Sequence, residues 1–546
     1  MKLAKSLLLG SATAFVAVAG ANAADLPSKK AAPVNYVKVC DAYGAGFYTI
    51  PGTDTCIKVG GRVRADYAFV PKQDIYTQAT GAPLTWGKTG TSGPDYTKTV
   101  FDPSSSAGKA AAGLQQTGWE TRGRVDMDAR TATAYGTVQT VFSTRLARTT
   151  GSLANASGAD SSGASPTLEA AYIRFAGFTF GVARDNFAYM PSRFYGAGHW
   201  GSFANGAKQI AYTAALGGGF SATIALQDPV DTTLGGFDYT SIQSTSNKNS
   251  FGTRGPVDEN IPQVNARIDL EQGWGNLSLA GAARYIHSAS TSRDNVQTST
   301  GFYIKDPVSG DNGIYDRFNV NKTAYALGLG TKFNLPMIAS GDALWLTAAW
   351  ARGMTEYTTN WSSFKSSAYK RDVGGFQLNH PSYVYTGSSY TGATAPGISL
   401  VDSWNVAGVF DHYWAPQWRQ SFLASYGKVK APSAAKNCAN GIDLSVNGAG
   451  GAASTSATST AINGCFGDAQ VWNVGSQVAF LPTKDFEIGV ELLYANTKYN
   501  APDGGWGLKT TDKIFGSSCY ANAAGDSKAT CSSHNVTGRL RVERTF

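Results

Sequence analysis

The stretch Ile57 to Phe69, IKVGGRVRADYAF, decides how the chain is read. Its odd positions are Ile57, Val59, Gly61, Val63, Ala65, Tyr67 and Phe69, and its even positions include Lys58, Arg62, Arg64 and Asp66. A period of two puts one set on each face of an extended strand. The rule recurs from Trp119 to Ala129, where Trp119, Val125 and Met127 alternate with Glu120, Arg122, Arg124, Asp126 and Asp128. It closes the chain too, with Val536, Gly538, Leu540 and Val542 set against Thr537, Arg539, Arg541 and Glu543. Segments 264–270, 325–335 and 486–494 follow it as well. Working outward, about sixteen strands are expected, starting near residues 57, 117, 132, 168, 178, 208, 219, 261, 275, 322, 343, 402, 417, 470, 485 and 535.

Composition narrows the class. Only 15% of the 546 residues are charged, against about 25% in a typical soluble domain. There are 63 glycines, and Ser, Thr, Tyr and Ala are abundant while Leu is sparse, which disfavours helix. Beyond the leader no stretch approaches the roughly 20 apolar residues of a membrane helix; Ala343–Ala351 (ALWLTAAWA) is among the richest. The connectors alternate in length. Gly217–Gly219, Gln272–Gly275, Ala415–Gln417 and Leu481–Lys484 are tight, whereas 70–117, 228–260, 288–321, 352–401 and 431–468 are long and polar. Short turns at one end and long loops at the other mark a transmembrane barrel, with turns in the periplasm and loops outside. The pairs Trp404/Trp414, Trp418/Tyr426, Trp472/Phe480 and Phe486/Tyr494 lie eight or ten residues apart on one face. At about 3.3 Å per residue and a tilt near 40° they span roughly 20–25 Å, the height between two aromatic girdles. The expected fold is therefore all-β: a transmembrane antiparallel β-barrel of about 16 strands.

Three regions are expected: a signal peptide over 1–23, an N-terminal periplasmic segment over 24–56, and the barrel over 57–546. Lys2 and Lys5 form a positive n-region, Leu7–Ala19 an apolar core and Ala21-Asn22-Ala23 a cleavage site. Removing the two lysines lowers the formal net charge from +8 to +6. The six cysteines fall into three local pairs, Cys40/Cys56, Cys438/Cys465 and Cys519/Cys531. Export and an even count suggest three disulfides, although 15 connectivities are available in principle. With no CxxC and five histidines, a metal site has no support, and no cofactor is expected.

A barrel in lipid must close on itself, so the strand ending at Phe546 is expected beside the one starting near Ile57. Arg62, Arg64, Arg122, Arg124, Arg539 and Arg541 then face inward as one basic wall at mid-height. Such a cluster is costly in a dry interior but sustainable in a water-filled lumen, where it sorts solutes by charge. The competing reading is a salt-bridge network with Asp66, Glu120, Asp126, Asp128 and Glu543 that plugs or rigidifies the barrel. The segment 185–207, DNFAYMPSRFYGAGHWGSFANGA, carries aromatics and little Ser or Thr, so it is a candidate constriction loop folded into the lumen. Asp185, Asn186 and Arg193 are its candidate residues, the first two facing the basic wall, and His199 is read as structural.

Residues 24–67, ADLPSKKAAPVNYVKVCDAYGAGFYTIPGTDTCIKVGGRVRADY, closely resemble the general porins of alphaproteobacteria, the rhizobial and Brucella-type family. The run Gly181–Arg184 (GVAR) and the terminal Phe546 support the resemblance. It implies a sixteen-stranded outer-membrane barrel, a homotrimer, and passive diffusion of small hydrophilic solutes and ions. It also implies that Phe546 is the tag read by the barrel-assembly machinery. Lipid and lipopolysaccharide are the expected surroundings. Loops such as 70–117 and 352–401 are long for the family. Gly81–Thr89 (GAPLTWGKT) is spaced wrongly for a phosphate loop, and neither G-x-S-x-G nor HExxH occurs, so no enzyme is expected. Arginines that line a lumen leave nucleic acid without a binding surface. Two rivals remain, a substrate-selective anion or sugar channel and a surface adhesin or receptor with a closed lumen.

Overall fold

The computed structural model describes residues 38–69, 116–153, 166–187, 189, 194–195, 206–228, 261–289, 319–358, 383–386, 397–433, 468–500, 517–520 and 530–546. The chain divides into two compact units, Met1–Ile57 and Lys58–Phe546. In the first, Lys38–Val39 pairs antiparallel with Tyr48–Thr49, and a Cys40–Cys56 disulfide sits in a small core with Phe47.

The second unit is a closed antiparallel barrel of sixteen strands. They are β1 (Thr55–Phe69), β2 (Thr117–Thr133), β3 (Gly136–Thr149), β4 (Thr167–Phe175), β5 (Phe178–Ala183), β6 (Ala207–Gly217), β7 (Phe220–Gln227) and β8 (Gln263–Gln272). Next come β9 (Gly275–Ala289), β10 (Asn319–Asn334), β11 (Ala343–Arg352), β12 (Asp402–Ala415), β13 (Trp418–Lys430), β14 (Ala469–Thr483), β15 (Phe486–Asn500) and β16 (Thr530–Thr545). Each pairs with its sequence neighbour, and β16 closes on β1 with Gly538 opposite Phe69 and Thr545 opposite Arg62. Beyond that register Phe546 and Gly61 exchange two backbone hydrogen bonds of 3.0 Å. Closure leaves no strand edge to be desolvated in lipid.

Every odd-to-even connection is long and every even-to-odd connection short, as the connector lengths predict. The β4–β5 and β6–β7 turns use the positive φ of Gly177 and of Gly217, Gly218 and Gly219, which glycine adopts without a Cβ clash. The β10–β11 turn is the longest of the short set, and there the Asp342 carboxylate accepts from the Tyr413 N–H at 2.8 Å. Cys519 lies opposite Cys531 in the pairing of Ser517–Tyr520 with β16. Cys438 and Cys465 lie outside the described residues.

The two faces sort as the alternation requires. Val63, Trp119, Val125, Ile268, Val490, Leu492, Leu540 and Val542 are exposed on the outer wall, while Asp66, Glu120, Asn265, Glu491 and Thr537 are buried inside. On the outer wall near the loop end, aromatic rings meet across neighbouring strands: Tyr325–Trp350 at 5.4 Å, Trp404–Tyr426 at 5.4 Å and Trp472–Tyr494 at 4.9 Å between centroids. Near the turn end Trp274–Phe333 and Trp418–Phe480 do the same at 5.7 and 4.8 Å. Such amphipathic rings settle at the headgroup level, so the two rows bound the apolar band.

Candidate functional site

The site is the lumen, and the connection after β5 shapes it. Asp185 follows that strand by two residues, with its carboxylate turned toward β7 and β8. It accepts from the Phe187 N–H at 3.0 Å, from Gln227 at 3.2 Å and from Asn265 at 2.9 Å. The Asn186 amide donates to Gln209 on β6 at 2.6 Å. These residues therefore root the inserted segment on β6–β8 and do not face the six-arginine wall; the Asn186 carbonyl instead accepts from Arg267 on β8 at 3.5 Å. The reason is local: β6–β8 present the inward amides Gln209, Gln227, Gln263 and Asn265, and Gln227 and Asn265 donate directly to the buried carboxylate.

Inward from this root, aromatic side chains dock on glycines of the wall. Phe187 packs on Gly328, where a Cβ would lie 2.8 Å from its ring, and Tyr189 packs on Gly330. The Tyr189 hydroxyl donates to the Asn276 carbonyl at 3.3 Å, and Arg267 lies 5.8 Å from the ring centre. Further along, Phe194 reaches Gly475 and Tyr195 reaches Gly489. Asp185–Phe187 and Tyr189 thus sit against β6–β10, and Phe194 and Tyr195 against β14–β16. Arg193 and His199 lie outside the described residues.

Tyr195 is the far latch. Its N–H donates to Glu491, its hydroxyl donates to Glu487, and its carbonyl accepts from Arg539 at 2.7 Å. Arg541 stacks over its ring at 4.2 Å, a cation–π contact strengthened by desolvation. Burial first, and then the Glu487 carboxylate, push the Tyr195 phenol well above its ordinary pKa, so it stays a donor.

The six arginines all face inward on adjacent strands, but not as one bare wall. Asp66, fully buried, holds Arg541 at 2.7 Å and Arg539 at 3.2 Å, with Arg64 at 3.9 Å. Glu120 holds Arg122 at 2.7 Å and Arg64 at 3.2 Å, and Glu543 lies 3.7 Å from Arg62. Five guanidinium groups share three carboxylates, and the buried Glu491 carboxylate lies opposite Arg539 in register. Arg64, Arg539 and Arg541 are buried, the last two under Tyr195. Arg62 and Arg124 retain 31% and 28% side-chain exposure toward the lumen. Arg145 on β3 joins them at 27%, sharing Glu169 with Arg124 at 3.2 and 3.1 Å. The wet-wall and rigid-network readings therefore both apply, to different arginines.

A second inserted segment follows β11. Met354, Thr355, Glu356 and Tyr357 fold inward onto alanines 280, 282, 324, 326 and 351 and onto Phe187. Glu356 pairs with Arg284 at 2.7 Å with both side chains buried, and the Tyr357 hydroxyl accepts from Gln263 at 2.5 Å and Asn265 at 3.2 Å. Asn265 thereby ties both inserted segments together. Sequence reading missed this segment and Arg145, and it took the aromatics of 185–207 as a sign of packing without assigning where they dock. The available signal was Gly and Ala at inward positions of β9, β10, β14 and β15, which in a strand mark close approach of another element.

A sequence profile described as Porin subfamily matches residues 25–517. Porin Omp2b of Brucella canis is 31% identical over 333 residues, covering 58% of this chain and 72% of that protein. Porin Omp2b of Brucella suis is 29% identical over 329 residues with the same shares. The outer membrane channel DcaP of Acinetobacter baumannii superposes with a TM-score of 0.45 at 13% identity, covering 91% of this chain and 99% of that one. The profile match extends over most of the barrel and agrees with the resemblance of residues 24–67: the chain belongs to the porin subfamily, the outer-membrane channels of the alphaproteobacterial type.

Proposed function

We propose that this porin passes small hydrophilic solutes and ions by passive diffusion along the β1–β4 side of the lumen, with a mild preference for anions. The observation that carries the reading is the residual exposure of Arg62, Arg124 and Arg145, three cations that face inward and keep part of their side-chain surface open although each has an acidic neighbour. Charged groups in a narrow wet passage set ion preference through the local field. Liposome swelling with small sugars tests the open lumen, and absence of swelling with folded protein would refute it in favour of an adhesin or receptor. A reversal potential in a salt gradient tests selectivity, and cation preference would refute the charge reading. Block of conductance by a micromolar solute would favour the substrate-selective channel.

A homotrimer is part of the proposal, following the family. It is supported by the low wall at β4, β5 and β7, which have 9, 6 and 8 residues. At about 3.3 Å per residue and a tilt near 40°, six residues cover roughly 15 Å of a band about 25 Å tall. Exposed Ile173, Phe178 and Phe180 lie on this sector, and contact with other copies would cover it. Light scattering on detergent-solubilised protein is expected to give three times the protomer mass, and Phe178→Glu with Phe180→Glu is expected to give monomers. We further propose that Phe546 serves assembly, and that Cys519–Cys531 and Cys438–Cys465 form disulfides in the outer loops.

A further inference from the structure

The turn-side half of the lumen holds a cation outside the six-arginine wall. On β4 and β5 the exposed apolar residues Ile173, Phe178 and Phe180 lie on the outer wall, so Tyr172, Arg174 and Thr179 on the opposite parity face inward. Arg174 stands one residue before the end of β4 and is exposed. Its guanidinium lies over the Tyr172 ring at 4.8 Å, and no ion pair among the described residues involves it. In register Arg130, Gln139, Arg174, Thr179 and Ala211 follow one another across β2–β6 as one inward row. With strands about 4.8 Å apart, Thr179 is one strand from Arg174 and Arg130 stands about 10 Å from it at the backbone. The acid one step loopward is engaged elsewhere: Asp128 holds Arg130 at 2.8 Å and accepts from Gln139 at 3.0 Å. Arg174 therefore carries the uncompensated charge of the row. From Arg124 down to Arg130, β2 covers about 20 Å of strand and about 15 Å of height at a tilt near 40°, so this row is separate from the mid-height arginines.

From this placement we infer that Arg174, backed by Tyr172 and flanked by Thr179, binds a tetrahedral oxyanion of the phosphate type at the turn-side mouth of the lumen. A cation–π contact occupies one face of the guanidinium and leaves its N–H groups, which lie in the plane, for oxygens. That planar fork meets two oxygens of an anion at once. A carboxylate has only those two. A phosphate has a third, and the Thr179 hydroxyl is one strand away to donate to it. The small Ala211 beyond Thr179 leaves room for the anion. The turn-side half also carries Lys332 on β10, 5.0 Å over the Trp345 ring, but its row runs Glu271, Asn276, Lys332, and an acid two strands away opposes an anion there. The site lies on the passage proposed above and rests on that reading for its role in transport, though not for binding itself.

The test titrates inorganic phosphate into the full-length mature protein in detergent and follows phosphorus NMR line broadening, with heat-modifiable gel mobility as the check that each variant is folded. Arg174→Gln is expected to bind phosphate roughly tenfold more weakly, through loss of a charge-assisted fork, and Thr179→Val about threefold more weakly, through loss of one neutral donor. Lys332→Gln is expected to bind as the wild type does. Sulfate is expected to compete and acetate at equal concentration is not. Unchanged binding in folded Arg174→Gln, an equal loss in Lys332→Gln, or equal competition by acetate would each overturn the inference. Chloride conductance in planar bilayers reports the channel reading separately. A conducting wild type that does not broaden the phosphate line overturns the site and leaves the pore standing, whereas phosphate binding by a protein that does not conduct does the reverse.

Discussion

Replacing Asp66 with asparagine isolates the charge network under the far latch. Its carboxylate is wholly buried and takes two 2.7 Å contacts from Arg541 and one of 3.2 Å from Arg539. In the variant, the five guanidinium groups lose one of their three ion-paired carboxylates, and the net charge of the cluster rises by one. A unit pair at about 4 Å is worth ~4 kcal/mol at an effective dielectric of 20. Breaking a buried pair by removing one partner costs about 3–5 kcal/mol, because the other charge stays desolvated. Asp66→Asn is therefore expected to lower stability by about that amount in equilibrium unfolding from vesicles followed by tryptophan fluorescence. Part of the loss is expected to return in Asp66→Asn/Arg541→Gln, with a coupling of about 1–3 kcal/mol in the double-mutant cycle. The same single variant is expected to shift the reversal potential toward stronger anion preference. Stability within ~0.5 kcal/mol of the wild type, or strict additivity in the cycle, would refute the network as described.

Three further outcomes follow from the same geometry. Gly489→Val puts a branched side chain where the Tyr195 hydroxyl lies, so it is expected to unseat the inserted segment while the barrel still folds. Larger, noisier single-channel currents would show it, and wild-type currents would count against the docking role of the inner glycines. Glu356→Gln leaves Arg284 buried without its 2.7 Å partner and is expected to cost ~3–5 kcal/mol, with partial recovery in the Arg284→Met double variant. Additive losses in the pair would refute a direct interaction. Because the Tyr195 phenol is raised, its stabilising donor bond is present below the ordinary tyrosine pKa of about 10 and is lost as pH climbs through the raised value. Current noise measured against pH is thus expected to stay flat to about pH 10 and to grow above it, and a transition below pH 9 would contradict the assignment.

The barrel was legible in the sequence because lipid imposes a strict rule on every spanning residue. Ile57–Phe69 and Val536–Val542 had to alternate, and the structure keeps that alternation on both faces. The inserted segments obey no such rule. Charge alone pairs Asp185 with the arginine wall, yet the amides of Gln227 and Asn265 hold its carboxylate on the β7–β8 side. Whether Arg541 is wet or covered depends on Tyr195, which is separated from it by hundreds of residues of chain, and no local pattern reports that contact. What the sequence did hold, unread, was the set of inward glycines, since a water-filled lumen gives no reason for Gly328, Gly330, Gly475 and Gly489 to lack side chains.

The paired hydrogen bonds between Phe546 and Gly61 have a consequence for biosynthesis. The seam joins the first and last strands of the barrel, so a polypeptide interrupted before β16 keeps two raw edges that no amount of local folding can hide. The cylinder cannot close until β16 has been made, and a product lacking that strand is therefore a template for aggregation rather than a smaller working pore.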